Sequence, residues 1–155
     1  MTDTLSPEDR RRAMKAVKGA NTSPELRLRR ALHARGFRFR LHRRDLPGTP
    51  DIVLPGRGAA VFVHGCFWHR HPGCPRATTP ATRQDYWLPK FARNEARDAE
   101  ACAALAAGGW RVATVWECAL TVRRTDATAD ALAAWLRGDG AALELPAAPF
   151  PPRAH

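Results

Sequence analysis

What the chain lacks narrows the field before any motif is read. None of its 155 residues fall in a run approaching the roughly 18 consecutive apolar positions of a membrane span. The opening segment MTDTLSPEDRRRAMK has no apolar stretch of the kind a secretory leader carries. No membrane association is expected, and the cytoplasm is the expected compartment. Cysteine is scarce, with four residues in all. Disulfides are rare in a reducing compartment, so three thiols that keep company with His or a Trp-Glu pair read as metal ligands or core residues rather than bridges. Acidic residues are also short, 15 against 25 basic ones, for a formal charge of +10. Residues 1–45 hold 13 Lys and Arg against 5 Asp and Glu, so +8 of that charge sits in the first third. An arm so one-sided suits a polyanion, nucleic acid above all, although a composition that merely uses Arg for Lys would look similar.

The length fits one domain that can bury its own core, here divided into a basic N-terminal arm or short helix (1–20), a main domain (21–140) and a Pro/Ala-rich flexible tail (141–155). In NTSPELRLRRALHARGF, Ser23 can cap a helix, Pro24 suits its first position, Glu25 favours its positive end, and Gly36 stops it. FRFRLH alternates as a half-buried strand does. DIVLPGRGAAVFVHG reads as a hairpin with Asp51 at its entry and His64 at its exit. A helix is expected from about Asp85 to Ala107, with Leu88, Phe91, Ala99, Cys102 and Leu105 inward and Lys90, Arg93, Asn94 and Arg97 outward. WRVATVWE then forms a strand and Asp126 to Arg137 a last helix. This order predicts an α/β domain, a central mixed sheet flanked by helices.

The stretch VFVHGCFWHRHPGC packs two Cys and three His into fourteen positions. Cys66, His71 and Cys74, joined by the remote Cys118, offer the four donors of a closed tetrahedral zinc site, which is structural because no position stays open for water. The plain alternative makes Cys118 a core thiol and His71 a surface side chain. Four ligands saturate such an ion, leaving His64 and His69 for proton transfer or phosphate stabilisation. Asp51 at a strand start is a hard oxygen ligand suited to Mg²⁺. With the His pair at the end of the neighbouring strand, it suggests a metal-dependent phosphodiesterase.

On these residues, and on the blocks MKAVKGANTSPELRLRRALHARGFRFRLHRRDLPGTPDIVLP, VFVHGCFWHRH, YWLPKFARNEARD and GWRVATVWECAL, the chain resembles the very-short-patch-repair (Vsr) DNA mismatch endonucleases over roughly residues 10 to 120. The resemblance implies a restriction-endonuclease-like fold and a Mg²⁺-dependent nick 5′ to the thymine of a T:G mismatch left by 5-methylcytosine deamination. It implies a structural Zn²⁺ on Cys66, His71, Cys74 and Cys118, with Asp51 as Mg²⁺ ligand, His69 as general base, and His64 and Glu25 in support. Some relatives carry Thr where this chain has Val63; a main-chain carbonyl ligand would survive that change. Phe67, Trp68 and Trp87 match aromatic wedges, Met14 a minor-groove contact on the basic arm, and Lys90 and Asn94 readers of base edges at the mispair. Core packing is the alternative for Phe67 and Trp68, and the first expectation for Trp110, Trp116 and Trp135. A monomer acting on mismatched duplex is expected, with a MutL-type protein as a candidate partner. Two other readings stay open: a nuclease of the same fold without T:G specificity, and a non-catalytic zinc-stabilised DNA-binding module.

Overall fold

The computed structural model describes residues 22–147, so the basic arm and Met14 lie outside the described residues. Helix α1 (Ser23–Ala34) opens the fold, followed by β1 (Arg40–Leu41), β2 (Ile52–Leu54), β3 (Ala59–His64), α2 (Gln84–Ala107), β4 (Arg111–Trp116), α3 (Thr125–Arg137) and β5 (Ala142–Leu145). The strands form one mixed sheet in the order β1-β2-β3-β4-β5. Its first three strands pair antiparallel, and β3, β4 and β5 run parallel.

Alternation along the strands sends side chains to two cores. Ile52, Leu54, Ala59, Val61, Ala113 and Val115 pack against Leu28 and Leu32 of α1 and Leu132 and Leu136 of α3. Ala60, Phe62 and Val112 meet Ala101 and Leu105 of α2 on the other face. The result is the expected α/β architecture, a mixed sheet with helices on both faces. Among the described residues no helix is long and apolar enough to cross a membrane.

Several expectations need correction. Thr22 occupies the N-cap of α1 and Ser23 its first turn, with no side-chain capping bond from Thr22. The FRFRLH strand shrinks to two exposed residues, Arg40 and Leu41, because the Phe37 N–H still bonds back to Leu32 O at the end of α1 and His42 turns out at φ +48°. On α2, Ala99 and Leu88 are exposed and Ala101 is buried instead. The inward stripe runs Phe91, Asn94, Asp98, Ala101, Leu105, a spacing that holds one helical face. Finally, the tail boundary at 141 falls too early, because Ala142–Leu145 pair with Val112–Val115 as the fifth strand. Edge pairing with β4 satisfies a backbone that composition alone marks as loose.

The turn at Leu46–Pro50 sets where β2 begins. Gly48 sits at φ +74°, and a Cβ there would lie 2.5 Å from the Ala101 Cβ and 3.1 Å from the Phe62 ring. Only glycine lets this turn press against α2 and Phe62, and the chain emerging from it delivers Asp51.

Candidate active site and metal centre

The parallel register of β3 and β4 builds the candidate metal centre. His64 lies opposite Trp116, so the residues two further along each strand, Cys66 and Cys118, leave the sheet at the same end. The Cys66 N–H donates to Glu117 Oε1 at 2.9 Å, fastening the two exits together. A pair of turns closes the loop, with His71 N–H donating to Cys66 O and Cys74 N–H to His71 O. The four donor atoms of Cys66, His71, Cys74 and Cys118 lie within 4.8 Å of one another, and all four residues are buried.

His71 Nδ1 lies 3.6 Å from Cys66 Sγ and 3.5 Å from Cys118 Sγ. Tetrahedral zinc, with bonds of about 2.3 Å to sulfur and about 2.0–2.1 Å to nitrogen, separates those two donors by about 3.6 Å. The donors therefore stand at co-ligand spacing. Burial pushes the Cys66 and Cys118 thiols well above their ordinary range. A divalent cation is what would offset that penalty and draw thiolates together. Trp116 lies flat on the His71 ring, centroids 4.3 Å apart, and its indole N–H donates to Glu144 of β5 at 3.0 Å. Cys102 stays apart, half-buried against the α2 face of the sheet.

A second cluster occupies the α2 face. His64 follows Phe62 by two residues and so shares its side of the sheet. One turn on, His69 N–H donates to Gly65 O and the two imidazoles stack, centroids 3.9 Å apart and planes 6° from parallel. His69 Nδ1 lies 2.6 Å from Asp98 Oδ2 on the inward stripe of α2. A carboxylate on Nδ1 fixes the tautomer with the Nε2 lone pair exposed to accept a proton. Burial, reinforced by His69, lowers the His64 pKa to about 3 and keeps that ring neutral.

A third cluster lies where β2 starts. Asp51 Oδ2 accepts the Val63 N–H at 2.7 Å. Burial pushes the Asp51 carboxyl up to about 6; the Val63 N–H opposes this, Glu25 adds to it and His42 opposes it. Glu25, on α1 and 1% exposed, places Oε2 2.8 Å from His42 Nε2 and 3.0 Å from Arg29 Nη1. Donor atoms of Glu25, His42 and Asp51 fall within 4.8 Å of one another. The second and third clusters meet at the end of β3, where Val63 holds Asp51 and His64 holds His69.

An aromatic wall flanks this end. Phe67 packs edge-on against Trp68, Trp87 and Phe91, with Tyr86 edge-on to Trp87. Phe67, Trp68 and Trp87 remain half-buried, while Phe91 is buried behind them. Asn94 donates to Trp68 O at 3.2 Å, and Lys90 Nζ sits 3.3 Å from Tyr86 Oη and 5.8 Å from the Trp68 ring centre. Both therefore engage the wall itself. Trp116 is buried beside the metal centre as core packing requires, while Trp110 and Trp135 are half-buried against the two sheet faces.

Sequence reasoning missed His42 and Asp98. Asp98 lies seven residues from both Phe91 and Leu105, so a carboxylate on an apolar helical stripe was a usable signal. His42 gave none, because its position depends on a backbone turn at φ +48°.

A four-donor sulfur and nitrogen cluster beside a carboxylate and imidazole cluster, on a strongly basic chain, is the donor set that a metal-dependent nuclease calls for. The family model for the DNA mismatch endonuclease Vsr matches residues 2–75. The chain is 60% identical over 121 residues to the type II nicking enzyme V.XorIIP of Xanthomonas oryzae pv. oryzae, covering 78% of this chain and 88% of that one. It is 38% identical over 148 residues to the DNA mismatch endonuclease Vsr of Escherichia coli K12, covering 94% of each. The type II nicking enzyme V.NaeI of Lentzea aerocolonigenes is 43% identical over 113 residues, 70% of this chain and 67% of that relative. The chain belongs to the Vsr family of DNA mismatch endonucleases.

Proposed function

We propose that this chain nicks one strand of duplex DNA 5′ to the thymine of a T:G mismatch, with Asp51 holding a catalytic Mg²⁺, His69 as general base, and a structural Zn²⁺ on Cys66, His71, Cys74 and Cys118. The observation that carries this reading is the contact of His69 Nδ1 with Asp98 at 2.6 Å, which turns the other ring nitrogen into a proton acceptor. The order of elements and the carboxylate at the start of β2 are consistent with a restriction-endonuclease-like fold. When bound at Asp51, Mg²⁺ would supply charge neutralisation at the scissile phosphate and a lower pKa for water.

The protein's own groups have separate tasks. His69 takes the proton of the attacking water, and Asp98 holds its ring in the tautomer that can do so. Neutral His64 packs against His69 and keeps it from turning. Glu25, held in place by Arg29, supports the cation beside Asp51. A strand residue presents its N–H and C=O at the same edge, so the Val63 carbonyl faces the side on which its N–H meets Asp51. That orientation supports a main-chain ligand and explains why valine serves there.

Phe67, Trp68 and Trp87 are read as the wedge. Unstacking a base step costs a few kcal/mol and least at a weakened pair, so insertion itself discriminates against paired DNA. Lys90 and Asn94 contact the wall and are read as the residues that meet base edges. The basic arm, with Met14, is assigned to the minor groove on charge and resemblance.

The test is strand-resolved cleavage of a T:G duplex beside the same duplex with T:A. Mg²⁺ should yield a single nick 5′ to the mispaired T, and EDTA should remove it. Equal cutting of both duplexes would leave a nuclease without mismatch specificity; no cutting would leave a binding module. His69→Ala is expected to lower nicking by roughly 10²–10⁴-fold while zinc content stays at the wild-type level.

Cation binding should also weaken in acid. Because the ordinary carboxyl value lies near 3.8 and burial raises Asp51 to about 6, the ligand form dominates only above that pH. At subsaturating Mg²⁺ the nicking rate is expected to fall about tenfold per pH unit below about 6, since a proton competes with the cation. A rate flat from pH 7 to pH 5 would contradict it.

A further inference from the structure

We propose that His42 Nε2 is a direct nitrogen ligand of the cation held between Asp51 and Glu25, giving this chain a mixed oxygen and nitrogen site that binds Mn²⁺ in preference to Mg²⁺. The inference rests on the reading of Asp51 as a cation ligand and adds a ligand to it.

Three observations converge on His42. Its Nε2 lies 2.8 Å from Glu25 Oε2, and both belong with Asp51 to a set of donors within 4.8 Å. An octahedral ion with bonds of about 2.0–2.1 Å places neighbouring donors about 2.9 Å apart, so imidazole and carboxylate stand at co-ligand distance. The backbone is bent for this purpose. His42 adopts φ +48°, a conformation L side chains seldom hold, and its N–H donates to Asp51 O at 3.1 Å. Without that bend the side chain would continue along the edge of the sheet; with it, the ring folds back onto the carboxylates. The residue is also accessible to an entering ion, with its side chain 24% exposed against 2% for Glu25.

The chemistry follows from donor type. Carboxylates and water suit Mg²⁺, which exchanges water for nitrogen reluctantly. An imidazole in the set shifts preference toward first-row transition ions. Mn²⁺ takes octahedral geometry with oxygen partners as Mg²⁺ does but also belongs to the series that accepts imidazole, so two carboxylates and one imidazole favour it over Mg²⁺.

The test uses the zinc-loaded full chain without DNA, titrated with Mn²⁺ and competed with Mg²⁺, with binding followed by electron paramagnetic resonance. Wild type should bind one Mn²⁺ at least about tenfold more tightly than Mg²⁺ and show ¹⁴N coupling from a coordinated imidazole. His42→Gln retains a side chain able to hydrogen-bond Glu25. It should lose the nitrogen coupling and weaken Mn²⁺ by about 10–100-fold, while Mg²⁺ affinity moves less than about threefold and zinc content is unchanged. Coupling that persists in His42→Gln, or Mn²⁺ affinity equal to wild type, overturns the proposal. Asp51→Asn separates this failure from the failure of its premise. Full Mn²⁺ binding by Asp51→Asn removes the premise that Asp51 holds the cation, whereas binding lost there but kept in His42→Gln removes only His42.

Discussion

Asp51→Ala is expected to lower the nicking rate on a T:G duplex by roughly 10³-fold or more, about 4 kcal/mol of transition-state stabilisation. Affinity for that duplex should remain within about threefold of wild type, or rise slightly, because a carboxylate facing phosphate repels it. The size of the effect follows from position. Asp51 is the carboxylate that the β2 entry fixes against the Val63 N–H, and burial raises its pKa. Removing it leaves that N–H without its acceptor, so Asp51→Asn is the better-folded companion, since its amide oxygen can still accept the bond. Both variants should be inactive, and only the alanine should also lose about 1–3 kcal/mol of stability. Single-turnover kinetics paired with a binding titration reads both quantities. Nicking above a tenth of the wild-type rate in either variant takes Asp51 out of the mechanism.

The second large effect is structural. Cys118→Ala should release the zinc and lower the melting temperature by roughly 10–20 °C, given a loss of about 5 kcal/mol in a domain of this size. Cys118 leaves the sheet beside β4, while the other three donors sit in the loop after β3. One lost ligand therefore unfastens the loop that carries Phe67, Trp68 and His69. His71 would keep its stacking on Trp116, so the drop reflects the ion rather than the ring contact. Cys102→Ser is the control, a half-buried thiol outside the cluster that should retain one zinc per chain and nearly all stability. Zinc analysis with thermal melts checks both. A Cys118→Ala chain that still carries zinc would mean the fourth ligand lies elsewhere.

Legibility followed how local each feature is. Of the four donors that could hold a metal, three were readable through spacing within one loop, and Cys118 through its place after an apolar strand. The hairpin was readable because β2 and β3 are short apolar runs around a Pro-Gly turn. Asp98 was obscured because the buried stripe of α2 changes from apolar to polar and back, so Ala99 looked as good an inward residue as Ala101. His42 depends on a single backbone angle that no residue type predicts. Strand β5 hid in a Pro- and Ala-rich composition, and its order comes from pairing with β4 rather than from its own sequence. Asn94 and Lys90 were placed on the right helix, but the contact of Asn94 with Trp68 emerges only once the loop and helix meet, whereas Lys90 reaches Tyr86 one turn back on α2 itself.

The proposed division of the site rests on which imidazole would clamp a structural ion and which stays free to move protons. The most direct measurement is the zinc content of His69→Ala beside His71→Ala, each purified without added metal. One zinc per chain in His69→Ala and none in His71→Ala is the predicted result. The reverse pattern would exchange the two roles and contradict the division of the site.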